Sequence, residues 1–207
     1  MIDRIQWLDH SSFVIEGTPT VYINPRNVPA DARNADVILV GHNGYRYCST
    51  GAVARLRGPH TQVIGGALAA SEIPDCTVLR PWQSITVGRA CVQAVPAYDP
   101  TDGPQAAENG SLGFVISVNH YDIYYAGHTR LISEMQRIRA DVAIVPIDGE
   151  GTLNPSEAAA VVAQIRPRWV IPMNWGVRTG AASRIEAQRF ASEVGTLAEV
   201  VLLPTPN

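Results

Sequence analysis

Two groups of side chains have the types that hydrolases use for nucleophilic or acid–base chemistry. His10 precedes Ser11 and Ser12, but adjacent residues of a strand face opposite sides, so His10 and Ser11 cannot converge directly and a structural role is the expectation. Asp148 and Glu150 place two carboxylates on one loop, as glycosidases require. Glycines beside both carboxylates are more typical of a solvated turn, so neither group identifies an active site.

A third candidate nucleophile is Cys48, which stands two residues after Arg46 and just before a predicted helix. Positive charge and a helix N-terminus both stabilise a thiolate. A metal-free enzyme that uses Cys48, or a tyrosine, with His42 or His128 as its base is therefore one hypothesis. The three cysteines form no C-x-x-C motif, which favours free thiols over a disulfide framework or a thiolate zinc site.

The composition excludes several classes of protein. All 16 basic residues are arginine, so a lysine Schiff base and a P-loop lysine are absent. The net charge is −3 and the arginines are scattered, so nucleic acid is not an expected partner. No stretch approaches the roughly 18 apolar residues of a membrane span, and the N-terminus lacks a signal-peptide pattern. We therefore expect a cytoplasmic protein without membrane contact.

The chain has 207 residues, of which 46% are hydrophobic, and this predicts a single domain over residues 1–207. Short apolar runs predict strands at residues 5–8, 12–15, 21–23, 37–40, 62–64, 84–87, 91–95, 112–118, 122–126, 142–146, 169–172 and 200–203. The polar residues 119–121 predict a hairpin connection.

Capping signals predict the helices. Asn154-Pro155-Ser156-Glu157 opens a helix that Pro167 stops, and the box that starts at Ser183 opens a helix to about Val194. Two further helices are predicted from residue 49 or 50 to residues 58–59, and over residues 129–139.

Several segments, read in order, resemble one known family. They are residues 7–16, 21–25, 35–42, 95–98, 125–127, 141–146 and 171–173. Together they are similar to the metallo-β-lactamase superfamily, in the branch of small metal-dependent hydrolases that includes ascorbate-6-phosphate-lactonase-like proteins. The resemblance spans nearly the whole chain. It implies an α/β fold, an αββα sandwich of two mixed sheets with outer helices.

The resemblance also implies a two-metal cleft, but most of its ligand positions are substituted. The family loop His-x-His-x-Asp-His is replaced here by His42-Asn43-Gly44-Tyr45-Arg46-Tyr47, and the supporting Asp-Pro is Asn24-Pro25. The implied metal-cleft positions are His42, Gly44, Arg46, Tyr47, Gln105, His128 and Asn174.

These substitutions weaken metal binding in physical terms. A two-zinc centre needs about six or seven converging donors. A guanidinium such as Arg46 has no lone pair, and amides such as Gln105 and Asn174 are weak zinc ligands. No cofactor is therefore expected. The alternative is one zinc, manganese or iron ion on His42 and His128, with Asp99 or Glu108 adding a carboxylate.

A positive Arg46 near a helix N-terminus suits a small anionic molecule. The possible ligand-binding residues are Tyr45, Arg46, Tyr98, His128, Asn174 and Trp175. The alternative is that Arg46 pairs with Asp99 or Asp148 and that the aromatic side chains fill the vacated volume.

Three hypotheses follow. The first is a non-hydrolytic member of the family that binds a small anion or a protein partner, the second is a hydrolase of lactonase, esterase or phosphodiesterase type with a reduced mononuclear site, and the third is the metal-free enzyme. By analogy with the resembling branch, a homo-oligomer is plausible.

Overall fold

Two mixed β-sheets form the centre of the computed structural model, which describes residues 1–42, 48–102, 111–176 and 182–206. The strands are β1 (Ile5–Asp9), β2 (Ser12–Ile15), β3 (Val21–Ile23), β4 (Ala35–Val40), β5 (Arg57–Gly65), β6 (Cys76–Val78), β7 (Ser84–Val87), β8 (Ala90–Ala97), β9 (Ser111–Val118), β10 (Tyr121–Tyr125), β11 (Val142–Pro146), β12 (Trp169–Met173) and β13 (Glu199–Val200). The first sheet has the order β1-β2-β3-β4-β5-β6, and the second has the order β13-β12-β11-β10-β9-β8-β7.

Both sheets are mixed. In the first, β1 to β3 pair antiparallel, whereas β3 to β6 pair parallel. In the second, β7 to β10 pair antiparallel and β10 to β13 pair parallel. The expected αββα sandwich of two mixed sheets is confirmed, and nearly all of the predicted strands are present.

The main core lies between the two sheets. Phe13 and Ile64 of the first sheet and Phe114 and Ile144 of the second are fully buried in one cluster. The alternation of side chains along each strand explains how both inner faces supply this cluster. A second cluster packs the outer face of the first sheet against the first helix.

The two helices predicted from capping boxes are confirmed. The helices are α1 (Thr50–Leu56), α2 (Ala67–Glu72), α3 (Pro155–Ile165) and α4 (Arg184–Val194). Asn154 and Ser183 each accept a hydrogen bond from the third helical N–H, and the glutamate at that position bonds back to the cap in both helices.

Two other helix predictions need correction. The first helix ends at Leu56 rather than at residues 58–59, because the chain from Arg57 onward pairs with β4. The segment 129–139 contains only a short 3-10 helix, Ser133–Arg137, since its first residue, the fully buried Thr129, bonds to the backbone of Tyr98. Helix α2 was not predicted, because Gly66 before it provides no capping side chain.

The hairpin between β9 and β10 is confirmed. Asn119 and His120 have φ values of 52° and 66°, the left-handed pair that a two-residue hairpin turn requires. No helix within the described residues is long and apolar enough to cross a membrane. The single domain and the cytoplasmic location stay predictions.

Candidate ligand-binding cleft

Four polar side chains follow the carboxyl ends of strands in the two sheets. His42 follows β4, His128 follows β10, Asp148 follows β11 and Asn174 follows β12 directly. Because β10, β11 and β12 are parallel neighbours, the last three residues lie along one edge of the second sheet. In open α/β sheets this edge is where ligands bind.

Gly41 brings the end of β4 against the second sheet. Its carbonyl accepts a hydrogen bond of 2.8 Å from the Leu112 N–H. A Cβ at position 41 would lie 2.3 Å from the Leu112 carbonyl oxygen, so only glycine allows this approach. The contact places His42 beside residues of the other sheet.

His42 and His128 lie next to each other at this edge. Their ring centroids are 5.3 Å apart, with the planes inclined by 75°. Burial, followed by the nearby His128, lowers the pKa of His42 to about 4. Burial, followed by His10, also lowers the pKa of His128, against the opposing effect of Asp102 and Asp99. The His42 imidazole is therefore neutral at pH 7. Burial and the nearby His10 favour the neutral form of His128.

Asp148 is held by neutral hydrogen-bond donors. Its Oδ1 accepts from the Thr152 hydroxyl, and its Oδ2 accepts from Asn174 Nδ2 at 3.2 Å. Burial raises the pKa of Asp148, and these hydrogen bonds and the nearby His10 oppose that rise. None of the ion pairs between described residues includes Asp148.

The side-chain nitrogen of Asn174 makes a hydrogen bond, whereas its side-chain oxygen makes none with the described residues. The residue is only 2% exposed and its φ is 64°. Because Nδ2 donates to the Asp148 carboxylate, Oδ1 must face away from it, and Oδ1 is buried without a hydrogen-bond partner. Buried polar atoms almost always have a partner, so this oxygen is an exception among the described residues.

Asn24 supports the start of the loop after β4. Its Oδ1 accepts from the Gly41 N–H at 2.8 Å, and its Nδ2 donates to the Tyr125 hydroxyl at 3.0 Å. That hydroxyl in turn donates to the Ser11 carbonyl at 2.8 Å. The sequence indicated only that Asn24 stands where the family resemblance implies an aspartate. The structure shows an amide that links β3, the loop after β4 and β10.

The other candidate ligand residues lie in different surroundings. The Tyr98 hydroxyl donates to Glu134 Oε1 at 3.0 Å. Trp175 is 5% exposed, packs on Trp7 with ring centroids 5.7 Å apart, and donates from Nε1 to the Pro172 carbonyl. Gly44, Tyr45, Arg46, Tyr47, Gln105 and Glu108 lie outside the described residues. The ligand-binding roles of all these residues stay predictions.

Of the predicted acidic residues, Asp99 has hydrogen-bond partners close to it in sequence, and Glu150 is exposed to solvent. Asp99 Oδ1 accepts from the Thr101 N–H at 2.9 Å and from the Thr101 hydroxyl at 2.8 Å, and these bonds lower the pKa of Asp99. Glu150 is exposed. Of the pair Asp148 and Glu150, the structure therefore places only Asp148 in the cleft.

The prediction that Cys48 forms a stabilised thiolate is wrong. Cys48 is 5% exposed in the cluster behind the first sheet. Burial raises the pKa of this thiol to about 12, with smaller contributions from Glu72 and Cys76. The sequence indicated the helix N-terminus correctly, because Ser49 caps α1. It did not show the burial that outweighs that effect.

The described residues do not fit a two-metal centre. Across residues 1–42, 48–102, 111–176 and 182–206, no group of three or more His, Cys, Asp or Glu side chains could hold a metal ion. The ring spacing of His42 and His128 is close to the about 5 Å expected for two imidazoles on one tetrahedral ion. The pair is therefore compatible with two of the ligands of a single ion, but the six or so donors of a dinuclear centre are not present in this part of the chain.

The two mixed sheets and their helices form the fold of the metallo-β-lactamase class. Residues 4–174 match the family model described as a beta-lactamase superfamily domain, so the chain belongs to this superfamily.

Curated relatives and solved structures agree with this membership. A UPF0173 metal-dependent hydrolase of Pyrococcus abyssi is 30% identical over 220 residues, which cover 97% of this chain and 96% of that protein. Igni18, a metallo hydrolase of Ignicoccus hospitalis, superposes with a TM-score of 0.78 at 17% identity, covering 98% and 95% of the two chains. YhfI, a metallo-beta-lactamase fold protein of Bacillus subtilis, gives a TM-score of 0.71 at 12% identity, covering 96% and 90%. At these identities the two structures indicate a shared fold.

Proposed function

We propose that this protein is a non-hydrolytic member of the metallo-β-lactamase superfamily whose cleft binds a small polar molecule in place of two metal ions. The supporting observation is the donor set around His42 and His128. Asn174 offers an amide where the resemblance implies an imidazole, and His128 offers an imidazole where it implies a bridging carboxylate. A hydrolytic two-metal centre needs both ions to activate water and to stabilise the developing charge.

The chemistry of the described cleft supports binding rather than hydrolysis. Asp148 makes hydrogen bonds with Thr152 and Asn174. A metal-free hydrolase that uses a cysteine would need a thiol that ionises beside a base. Cys48, the thiol that sequence reasoning considered, is buried with a raised pKa. The small anion predicted from Arg46 stays a prediction, because Arg46 lies outside the described residues.

Equilibrium dialysis against zinc, manganese and iron(II), followed by elemental analysis, tests this proposal. The Pyrococcus abyssi relative, treated in parallel, serves as a positive control for metal retention. We expect the present protein to retain less than one ion per chain and to show no lactonase, esterase or phosphodiesterase turnover above buffer. Stoichiometric, tightly bound metal would refute the proposal, and so would turnover above buffer.

A second candidate is a mononuclear metal-dependent hydrolase. The 5.3 Å spacing of the His42 and His128 rings favours it, because these imidazoles could share one ion. This candidate predicts that His42→Ala and His128→Ala each abolish both bound metal and turnover. His120→Ala, a change in the exposed hairpin turn, is the matched control and should alter neither.

A further inference from the structure

We infer that Asp148 and Asn174 form a binding site for a small organic cation that carries N–H donors, of the amidinium, guanidinium or primary ammonium class. This inference rests on the proposed function, because a metal centre in the same cleft would compete for the space. The observation that carries it is a carboxylate and an unused amide oxygen on one hydrogen-bonded pair of side chains.

Among the described residues, the Asp148 carboxylate accepts hydrogen bonds from neutral donors and forms no ion pair, although the nearby His10 favours its charged form. Its donors are the Thr152 hydroxyl and the Asn174 amide, both neutral. The four ion pairs between described residues all involve other acids. A partly buried carboxylate is stabilised most by a cation that also donates hydrogen bonds.

The Asn174 oxygen supplies the second acceptor. The amide orientation follows from the 3.2 Å bond to Asp148, because only the NH₂ group can donate to a carboxylate. The oxygen is therefore left as a buried acceptor, and no donor of the described residues lies within hydrogen-bond distance of it. A ligand N–H that reaches it would satisfy an atom that is otherwise desolvated without compensation.

Two glycines with a left-handed backbone follow Asp148 in the same loop. Gly149 and Gly151 both have a φ of 71°, a left-handed conformation that favours glycine. A Cβ on Gly151 would lie 3.3 Å from His128 Nε2. Glycine at position 151 therefore keeps a side chain away from the imidazole that borders the site.

The acceptors determine the class of ligand. A carboxylate and a carbonyl oxygen attract N–H donors and repel a carboxylate or phosphate of a ligand. A planar amidinium or guanidinium can donate two parallel hydrogen bonds, which suits two acceptors presented by adjacent side chains.

Acetamidinium and acetate provide a matched pair of probes, since they have nearly the same shape but opposite charge and hydrogen-bonding character. Chelator-treated protein is titrated with acetamidinium chloride or sodium acetate at constant ionic strength. Tryptophan fluorescence, to which Trp175 beside Asn174 contributes, and the melting temperature are the readouts. We expect a saturable response to acetamidinium and at least about tenfold weaker binding in Asp148→Asn.

Two further variants complete the experiment. Asp31→Asn removes the same charge from an exposed position and should bind acetamidinium like the wild type. Asn174→Gly removes the unused oxygen while keeping a residue that tolerates the φ of 64°, and it should also weaken binding. This variant replaces Asp148→Asn if the latter does not fold, as judged by circular dichroism.

Three results would overturn the inference. The first is no response of the wild type up to about 50 mM acetamidinium, a range in which a fragment of this size should be detected. The second is a response of Asp148→Asn and Asn174→Gly to acetamidinium that equals the response of the wild type. The third is binding that occurs only in Arg46→Gln, because the guanidinium of this chain would then be the occupant. Stoichiometric metal in the untreated protein would instead refute the proposed function, so the two failures are distinguishable.

Discussion

Asn24 and Asn174 are two buried asparagines with opposite degrees of hydrogen bonding. Each is 2% exposed, and each has a left-handed φ, 45° for Asn24 and 64° for Asn174. Each also stands where the family resemblance implies an ionisable residue. Asn24 uses both amide atoms, whereas Asn174 uses only its nitrogen. The fold therefore uses both polar atoms of the Asn24 amide and leaves the Asn174 oxygen without a partner among the described residues.

Tyr124 and Tyr125 repeat this contrast on strand β10. Both side chains are fully buried. The Tyr125 hydroxyl accepts from Asn24 and donates to the Ser11 carbonyl, while the Tyr124 hydroxyl has no hydrogen-bond partner in the part of the chain that the structure describes. The comparison distinguishes buried polar atoms that stabilise the fold through hydrogen bonds from buried polar atoms without a hydrogen bond, which do not.

The largest effect is expected for Asn24→Ala. It leaves the Gly41 N–H without its acceptor and removes the donor to the Tyr125 hydroxyl, and we expect a loss of about 2–4 kcal/mol in the free energy of unfolding. Asn174→Ala loses one hydrogen bond and removes an unpartnered oxygen, so we expect about 1 kcal/mol. Both variants share the strain of alanine at positive φ. Urea denaturation measures both values, and equal losses would contradict the comparison.

Tyr125→Phe should destabilise the protein by about 1–3 kcal/mol, because two buried groups lose their partner. Tyr124→Phe is the matched control, since it removes a buried hydroxyl that makes no hydrogen bond. We expect it to be neutral or slightly stabilising. Thermal unfolding of both variants checks this prediction, and a destabilised Tyr124→Phe would show that the contrast is not one of hydrogen bonding.

Gly151→Ala should cost about 1 kcal/mol in stability through its positive φ and should also displace His128. Gly88→Ala has a similar φ of 58° but open space around the new methyl group. The imidazole NMR signals of His128 should move in the first variant and stay in place in the second. Unchanged signals in both variants would mean that Gly151 does not shape the cleft.

The smallest effect on the fold concerns the cysteines. With its pKa raised to about 12, Cys48 should react with iodoacetamide far more slowly than Cys76 and Cys91 at pH 7.5. Peptide mass spectrometry after limited alkylation gives the ratio, and all three thiols should react in denaturant. Rapid labelling of Cys48 in the folded protein would revive a cysteine nucleophile.

Much of the fold could be predicted because its signals are local. The boxes at Asn154 and Ser183 set the starts of α3 and α4, and apolar runs marked strands such as β11. Gly58 and Pro59 were predicted to end a helix, but they belong to β5. The sequence of this segment does not show its pairing with β4.

The sequence predicted which residues belong to the candidate site, but not which hydrogen bonds they make. The resemblance indicated Asn24 and Asn174 together as substituted residues. The difference between them arises from Tyr125 and Asp148, which come close only through the packing of the sheets. Burial of Cys48 behind the first sheet is likewise a tertiary property, and it reversed the expected direction of its pKa shift.

Anomalous diffraction at the zinc, iron and manganese absorption edges, from crystals grown with these metals, tests the central claim most directly. We predict no anomalous peak coordinated by this chain between His42, His128 and Asn174. Two strong peaks with protein ligands at that position would contradict the proposal that the cleft holds a small polar molecule in place of two metal ions.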